Sequence, residues 1–466
     1  MSTDMAGNEW TAAQLEAASR AHLLTPAEEM AKLGQVSRPI LSSGDGIYVT
    51  DAYGKRYIDG PGGMWCTQIG HNRREIADAI FEQALKLSYN SPWYTVNGPS
   101  AQLAQRIAHL TPGDLNHIFF TGGGSTAVDS ALRFVQFFNN VLGRPEKKII
   151  LCRIDGYHGS THLTAACSGR AGNRPNFDLE SDTISFLSAP NNFRRPKGIS
   201  EDQFVRFLLD EVEDRIRTLG PDRVAAILAE PIQASGGVIV PPEGYLQGLR
   251  DIATRHDLLF ISDEVVTGFG RCGHWFASDD VFGITPDIIT FAKGVTSGYL
   301  PLGGFAVSDA ILKRVSGAAA KGSYFTNGYT YTGHPVSCAA ALANIDVIER
   351  DRILQHVRSI SPYFQTQLQK LRELKLVGDV RGIGLLGCVE CTLGENALGR
   401  EKLEGTLGTE IDAYCHELGL IVRPIGNMCV FSPPLIISEA QIDEMVSILS
   451  KAISMTEANL RAQGVL

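Results

Sequence analysis

Two side chains that could take part in a reaction lie at the ends of predicted strands in the middle of the chain. Asp263 closes the segment that begins with the apolar run Leu258–Ile261, and Lys293 follows Asp287–Phe291, thirty residues after the acid. Strand ends in open parallel sheets face a ligand crevice. Pyridoxal phosphate (PLP) needs an amine for a Schiff base and an acid for its pyridinium nitrogen. The pair therefore predicts PLP, with a structural ion pair at the rim of the sheet as the alternative.

A glycine-rich turn predicts a phosphate site. The apolar run His117–Phe120 leads into Gly122–Gly124, and Ser125 and Thr126 open a predicted helix. Glycine lets a ligand approach the backbone closely, and the N–H groups and dipole of a helix N-terminus favour a phosphate. The turn also satisfies the loose dinucleotide pattern G-x-G-x-x-A. A nicotinamide oxidoreductase is therefore an alternative, although it gives no role to the acid and the amine.

An aromatic side chain follows another predicted strand. Tyr157, in the segment DGYHG, comes shortly after Lys148–Cys152 and so lies at the same edge of the sheet. A tyrosine there can stack on a pyridine ring, and offset stacking contributes on the order of 1 kcal/mol beyond burial. The alternative interpretation is an ordinary core tyrosine.

Composition excludes several classes of protein. The net charge of −9 and the pI near 5.7 argue against a nucleic-acid partner, which needs a basic face. No apolar run has the length of a membrane span, and the N-terminus lacks the pattern of a secretory signal. Nine cysteines, an odd number, fit a reduced cytoplasm better than a disulfide framework.

One cysteine pair raises the question of a metal. Cys388 and Cys391 form a CxxC, but the surrounding LLGCVECTL alternates like a strand, on which residues three apart point to opposite faces. No second CxxC completes a tetrahedral site. We therefore expect no metal.

Strands alternate with helices from about residue 75 to residue 305. The predicted strands are His117–Phe120, Lys148–Cys152, Ala225–Ala229, Leu259–Ser262, Asp287–Phe291 and Gly304–Val307. This alternation predicts a mainly parallel sheet covered by helices on both faces.

The two ends of the chain have a different pattern. Helical patterns at Thr11–Arg20 and Thr25–Leu33 precede a predicted hairpin around Asp51–Gly54. After Gly333 a long Ala-rich helix, running to Leu371, leads to a smaller α+β module with a last helix from Glu439. Its predicted strands lie near Val377–Arg381, Gly384–Thr392, Leu420–Pro424 and Cys429–Ser432.

Taken together, these segments resemble the class III, fold-type-I PLP-dependent aminotransferases, especially the ω-amino acid or amine:pyruvate branch. The similarity covers nearly the whole chain and includes GHNRREI, GGSTAVDSAL, GYHG, LAEPIQASGGVIVPPEGYLQGLR, SDEVVTGFGR, ITFAKG, NGYTYTGHPVSCAAAL, RGIGLLGCVE and VFSPPL. The resemblance implies an α/β fold with a seven-stranded, mainly parallel sheet. We expect an N-terminal part of the small domain in residues 1–74, a PLP-binding domain in 75–332, and a connecting helix with the C-terminal small domain in 333–466.

The resemblance also assigns site residues. It implies that Lys293 is the Schiff-base lysine and that Asp263 pairs with the pyridinium nitrogen. The other cofactor contacts that it implies are Gly124 and Ser125 at the phosphate, Tyr157 and Val265 on the two ring faces, and Glu230 beside the cofactor. Thr330, in GYTYTGHP, would reach the phosphate of a neighbouring subunit and make the active unit a homodimer, with a tetramer also open. Trp65 would line the substrate pocket, with a plain core position as its alternative.

Two departures from the family pattern bear on function. The serine and glutamate common in the glycine turn are replaced by Gly123 and Thr126, which a phosphate site built from backbone should tolerate. Relatives that use 2-oxoglutarate carry an arginine where this chain has Val430, whereas Arg423 resembles the movable arginine of the amine:pyruvate branch. The sequence therefore predicts amino transfer to pyruvate, with Arg423 on its carboxylate; a surface arginine is the alternative for Arg423.

Several alternatives remain open from sequence. Another PLP reaction on the same fold, such as that of an aminomutase, decarboxylase or epimerase, would use the same cofactor residues. The nicotinamide oxidoreductase is a second alternative, and a non-catalytic binding protein is a third. The amine donor is open among β-alanine, taurine, a diamine and an aryl-alkyl amine.

Overall fold

The computed structural model of the chain describes residues 9–36, 38–170, 172, 174–180, 182–393 and 400–466. The strands are β1 Leu41–Asp45, β2 Tyr48–Asp51, β3 Arg56–Asp59, β4 His117–Thr121, β5 Ile149–Arg153, β6 Ile184–Leu187, β7 Val224–Ala229, β8 Leu259–Asp263, β9 Ile288–Phe291, β10 Gly303–Val307, β11 Val377–Ile383, β12 Leu386–Cys391, β13 Leu420–Ile421, β14 Arg423–Ile425 and β15 Met428–Phe431.

The α-helices connect and cover these strands. They are α1 Ala12–His22, α2 Gly62–Trp65, α3 Arg74–Lys86, α4 Gly98–Leu110, α5 Gly124–Val141, α6 His162–Cys167, α7 Glu201–Leu219, α8 Tyr245–Arg255, α9 Ala277–Asp280, α10 Asp309–Ala318, α11 Pro335–Arg350, α12 Ile353–Gln369, α13 Arg400–Glu404, α14 Leu407–Leu418 and α15 Glu439–Ala462. Short 3₁₀ turns lie at Met30–Lys32, Asn192–Arg194, Lys293–Thr296 and Lys370–Glu373.

The largest sheet has seven strands in the order β4-β10-β9-β8-β7-β5-β6. Neighbouring strands from β9 through β6 run parallel, and β10 is antiparallel to both of its neighbours. Successive strand residues alternate between faces: Leu259 and Ile261 pack with α5, whereas Phe260 packs with α7 and α8. Helices therefore cover both faces, and the predicted α/β fold with a mainly parallel seven-stranded sheet is confirmed.

Three elements differ from the sequence prediction. The strand β6 was not predicted, since Ile184–Leu187 is short and interrupted by a serine. The predicted helix Thr25–Leu33 is wrong: only the turn Met30–Lys32 forms, and Ala27 has a positive φ of 58° that no right-handed helix accommodates. The single long helix after Gly333 is also wrong, because Arg352, with φ of 53°, separates α11 from α12.

The two ends of the chain meet in one sheet. Strands β1, β2 and β3 form the predicted hairpin region, and β3 pairs in parallel with β13, placing Ile58 beside Leu420. A second four-stranded sheet, β11-β12-β15-β14, lies in the C-terminal part. This pairing supports our proposal that residues 1–74 and 333–466 build one small domain beside the 75–332 domain. None of the helices that the structure describes is long and apolar enough to span a membrane.

Candidate active site

Segments that follow five strands of the large sheet meet at one edge. Because β10 is antiparallel to both β4 and β9, β4 has the same direction as β5, β7, β8 and β9. The residues predicted from sequence follow or end these strands: Gly124 and Ser125 after β4, Tyr157 after β5, Glu230 after β7, Asp263 at the end of β8, and Lys293 after β9. Carboxyl ends of parallel strands form the ligand crevice of such sheets, so the fold brings these residues together.

Lys293 occupies a sharp turn at this edge. Its φ is 40°, in the left-handed region, and it starts a 3₁₀ turn directly after β9. The Nζ atom lies 5.2 Å from the centroid of the Trp65 ring. Burial lowers the pKa of the Lys293 amine, while the negative charge of Asp263 opposes that shift. A lowered pKa populates the neutral amine, which is the nucleophilic form.

Asp263 is buried and held by three donors. Its Oδ2 lies 2.7 Å from His158 Nδ1, and its Oδ1 accepts hydrogen bonds from Thr290 Oγ1 (3.0 Å) and Val265 N (3.2 Å). The side chains of Asp263 and His158 are almost completely excluded from solvent. The carboxylate therefore has a fixed orientation and a partner that can carry positive charge.

Glu230 lies beneath the same crevice. Its Oε1 accepts from the backbone N–H of Tyr157 (3.0 Å) and its Oε2 from that of Ala234 (3.3 Å). Burial raises the pKa of the Glu230 carboxyl group. Glu230 therefore anchors the segment that carries Tyr157, whose own Oη is 2.9 Å from Ser160 Oγ.

The N-terminus of α5 is open. No side chain caps it, and a Cβ atom added to Gly122 or Gly123 would meet nothing within 4 Å. Ser125, in the first turn, accepts a hydrogen bond from Ser160 N at 3.0 Å. Free N–H groups at the start of a long helix, with space in front of them, are suited to an anionic group such as a phosphate.

Val265 closes the site from the side of β8. A Cβ atom on Gly124 would lie 2.9 Å from Val265 Cγ1 and 3.6 Å from Ala292 Cβ. The glycine turn, Val265 two residues after Asp263, and Ala292 directly before Lys293 are thus packed against one another. Any larger residue at position 124 would displace Val265.

Trp65 and Arg423 come from the two ends of the chain. Trp65 is buried in one cluster with Val430, and its Nε1 has no acceptor among the described residues. Arg423 on β14 is directly opposite Val430 on β15, and opposed side chains of neighbouring strands share a face. Arg423 therefore projects on the side of the Trp65 cluster, and its buried Nε also lacks an acceptor in the described structure.

Thr330 stands apart from the other predicted residues. It is exposed on the surface of the chain, within the turn that precedes α11. It makes no side-chain hydrogen bond to the residues that the structure describes. A single chain therefore gives Thr330 no place in the crevice.

Sequence reasoning missed two residues of the site. His158 and Thr290 both contact the Asp263 carboxylate, and neither was assigned a role. Thr290 is directly opposite Asp263 in the β8–β9 register, which a sequence does not reveal. His158 follows Tyr157 in GYHG, so the motif itself was the available signal.

The cysteines build no metal site. Cys388 and Cys391 are buried on β12 as free thiols. Among the described residues, no group of three or more His, Cys, Asp or Glu side chains could hold a metal ion.

The donor set fits PLP. The Lys293 amine, whose pKa is lowered, matches the aldehyde of PLP. The buried Asp263 carboxylate matches the ring nitrogen, since no arginine or lysine among the described residues is in ion-pair contact with it. The uncapped N-terminus of α5 matches the phosphate. Arg423, with a buried N–H that lacks an acceptor, can receive a substrate carboxylate.

Known proteins are similar in sequence to this chain over nearly its full length. Residues 32–453 match the family described as aminotransferase class-III. The chain is 36% identical to the putrescine–pyruvate aminotransferase of Pseudomonas aeruginosa over 463 residues, which cover 99% of each protein. It is 37% identical to the probable mitochondrial γ-aminobutyrate transaminase 2 of Oryza sativa subsp. indica, over 91% of this chain and 86% of that one. These relatives agree with the aminotransferase interpretation rather than with the nicotinamide oxidoreductase.

Solved structures give the same result. A thermostable (S)-enantioselective ω-transaminase from Thermomicrobium roseum superposes with a TM-score of 0.92 at 36% identity, over 96% of this chain and 100% of that one. The ω-transaminase of Pseudomonas jessenii, in complex with PMP, superposes with a TM-score of 0.91 at 31% identity, over 95% and 98% of the two chains.

Proposed function

This chain belongs to the class III aminotransferases, which are PLP-dependent enzymes, and from that premise we propose that it transfers an amino group from an ω-amino acid, diamine or other amine to pyruvate. The observation that carries the proposal is the meeting of Lys293 and Asp263 at one sheet edge, with Arg423 directly opposite Val430 on the neighbouring strand. The first two residues serve PLP chemistry, and the third provides a cation for the acceptor's carboxylate.

Each cofactor contact has a candidate residue. Lys293 Nζ would attach the cofactor covalently, and the start of α5 at Gly124 and Ser125 would hold the phosphate. Tyr157 and Val265 would contact the two faces of the ring, with Glu230 beside it and Asp263 at the ring nitrogen. When bound, PLP supplies an electron sink for a substrate carbanion.

The protein's own groups carry the proton transfers. Burial favours the neutral amine of Lys293, which would act as the general base that takes the proton from the substrate Cα and, once protonated, as a general acid. Asp263, oriented by His158 and Thr290, would favour a protonated ring nitrogen through its negative charge. Trp65 walls the pocket beside the amine and excludes water.

The acceptor assignment has two supports. Arg423 carries the cation on β14, and Val430 takes the position where relatives using 2-oxoglutarate have an arginine. The relative from Pseudomonas aeruginosa is named for pyruvate. Other relatives are named for γ-aminobutyrate, so the proposed donors include both diamines and ω-amino acids.

We propose a homodimer, which the position of Thr330 and the surface beside it support. Exposed aromatic side chains lie beside it and form what we term the aromatic patch, which consists of Tyr89, Trp93, Tyr94 and Tyr331. The rings of Tyr89 and Tyr331 are 6.3 Å apart, edge to face, and a Cβ atom on Gly328 would lie 3.1 Å from Trp93. Contiguous exposed apolar surface of this kind marks interaction sites. We propose that a second copy covers it and brings Thr330 to the partner's phosphate.

The proposed location is the cytoplasm. All nine cysteines are free thiols, and free thiols persist in a reducing compartment.

The two half-reactions test the proposal. An amine such as putrescine, or β-alanine, should convert the PLP form to the pyridoxamine form, and pyruvate should restore it faster than 2-oxoglutarate does; both steps are followed in the cofactor's absorbance. Arg423→Ala should weaken the pyruvate step by at least about tenfold, since truncating one partner of a buried charge pair typically costs about 2–5 kcal/mol. The putrescine step should stay nearly intact. Equal damage to both steps would make Arg423 a structural residue, and a faster step with 2-oxoglutarate would overturn the acceptor assignment.

A further inference from the structure

Arg170 is held against the segment that carries Tyr157. Its neighbour Gly169 forms an isolated parallel bridge with Ile154, accepts from Asp155 N (3.3 Å) and donates to Gly156 O (2.9 Å). A Cβ atom on Gly169 would lie 2.3 Å from a backbone oxygen of the β5 end, so only glycine permits this approach. Arg170 therefore lies at the edge of the sheet where the active-site residues meet.

The guanidinium group of Arg170 makes no hydrogen bond and no close ion pair in the described part of the chain. It is half-buried, no carboxylate is within ion-pair distance, and no described group accepts a hydrogen bond from it. Nearby arginines behave differently. Arg174 donates to the carbonyl groups of Ala166 in α6 and of Ser168, which follows that helix, and Arg153 donates to the Glu230 carbonyl. Burying a cation without hydrogen bonds costs free energy unless an anion binds to it.

The strand that carries Arg423 lies near the turn after β5. A Cβ atom on Gly236 would lie 3.1 Å from Asp155 Cβ, and one on Gly237 would lie 2.2 Å from Met428 Sδ on β15, which pairs with β14. Arg170, Asp155 and Arg423 are together termed the arginine cluster.

Burial lowers the pKa of the Arg423 guanidinium group, and the positive charge of Arg170 lowers it further, whereas Tyr157 opposes the shift. Arg423 also has a buried Nε without an acceptor among the described residues. Two guanidinium groups that repel each other and have unused donors form a site for an anion, and carboxylates suit such planar donors.

Asp155 brings a negative charge to the arginine cluster. Its carboxylate is half-buried, makes no hydrogen bond within the described structure, and interacts electrostatically with Arg170. Arg194 and Glu390 also act on Asp155, and Asp412 acts on Arg423, so the cluster holds charges of both signs. Within it, an ionised Asp155 places a negative charge close to Arg170. That charge repels the second carboxylate of a dicarboxylic acid, which a monocarboxylic acid lacks.

We propose that Arg170 is a second carboxylate-binding residue, which receives the keto acid together with Arg423, and that Asp155 makes this pair selective for monocarboxylic over dicarboxylic acceptors. The inference rests on the proposed transfer of an amino group to pyruvate. It adds a specificity-determining pair, Arg170 and Asp155, which comes from the loop after α6 and the turn after β5.

Variants of both residues test the inference in the holoenzyme. Arg170→Gln should raise the pyruvate concentration for half-maximal rate in the acceptor half-reaction by about tenfold or more, with the putrescine half-reaction nearly unchanged. Arg170→Lys keeps the charge and should restore part of the loss. Asp155→Asn removes the negative charge beside Arg170 and should shift the rate ratio of 2-oxoglutarate to pyruvate upward by about tenfold, as a charge interaction near 1.4 kcal/mol would. The matched control is Arg195→Gln, since Arg195 bonds Asn192 away from the crevice.

Each outcome decides between the alternatives. An Arg170→Gln enzyme with wild-type dependence on pyruvate overturns the role of Arg170, and equal loss in both half-reactions or a lowered melting temperature in both Arg170 variants makes it structural. An unchanged acceptor ratio in Asp155→Asn overturns the selectivity. If the wild-type enzyme transfers to no keto acid, the proposed function fails instead, and that result is seen before any variant is compared.

Discussion

At the scale of single residues, Lys293 combines backbone strain with a shifted protonation equilibrium. A non-glycine residue at φ of 40° costs on the order of 1–2 kcal/mol, and the turn it makes directs the amine at the Trp65 ring. Burial lowers the pKa of the amine, and the Asp263 carboxylate is the first of the charges that oppose this. The neutral amine is therefore available closer to neutral pH than for an exposed lysine.

This arrangement predicts the pH dependence of cofactor uptake. Only the neutral amine attacks the aldehyde, so uptake of PLP by the apoenzyme should rise with pH around a midpoint below the ordinary 10.5 of a lysine. Asp263→Asn removes a charge that raises the pKa of Lys293, so its midpoint should move to lower pH. Stopped-flow absorbance measures both profiles, with Asp210→Asn on the exposed side of α7 as control. A midpoint that rises or stays in Asp263→Asn would contradict the coupling.

At the scale of elements, the proposed phosphate site would depend on the start of α5. Gly123 has an extended φ of 166°, which any residue adopts, and its added Cβ would be in open space. The family resemblance places a serine there, so in our proposal the glycine would deprive the phosphate of one hydroxyl donor. The backbone N–H groups of α5 would then be the main contacts of the anion.

Gly123→Ser should therefore tighten cofactor binding without disturbing the fold. One added hydrogen bond to a charged group contributes about 1.5–3 kcal/mol, so we expect PLP to bind at least about tenfold more tightly in a titration of the apoenzyme. Gly98→Ser at the start of α4 is the matched control, since its Cβ also meets nothing within 4 Å. Unchanged PLP affinity in a stable Gly123→Ser protein would place the phosphate elsewhere.

The sequence predicts strands better than it predicts neighbours in space. Apolar runs revealed six strands of the large sheet, and the acid and the amine were found because both follow such runs. The helix break at Arg352 was not predicted, because the residues around it form helices readily and nothing in the sequence indicates its left-handed φ. We predicted no role for His158, Thr290 or Arg170 from the sequence, because the residues around them come from distant segments that only the fold brings together.

At the scale of the whole molecule, one buried arginine joins distant parts of the chain. The Arg271 side chain is fully excluded from solvent and donates to the carbonyl groups of Leu385 and Pro433 and to Gln68 Oε1. It thereby ties the large domain to both parts of the proposed small domain. On the outside, the aromatic patch near Thr330 has no cover within the described chain.

The patch predicts a dimer on which cofactor binding depends. Trp93→Glu should dissociate the dimer in sedimentation velocity, because it places a charge in an apolar interface, and should weaken PLP binding through loss of the partner's Thr330. Phe207→Glu is the control, since Phe207 is a similarly exposed aromatic residue on α7. A monomeric wild-type protein that binds PLP tightly would contradict the proposed dimer.

Transfer of labelled nitrogen tests the central claim most directly. The enzyme is incubated with PLP, ¹⁵N-labelled putrescine or β-alanine, and pyruvate, and the products are analysed by mass spectrometry. We predict that ¹⁵N appears in alanine in equal amount to the carbonyl product of the donor, and that Lys293→Ala abolishes this transfer. Label released as ammonia, retained in a rearranged or decarboxylated donor, or absent from alanine with every donor would contradict the account.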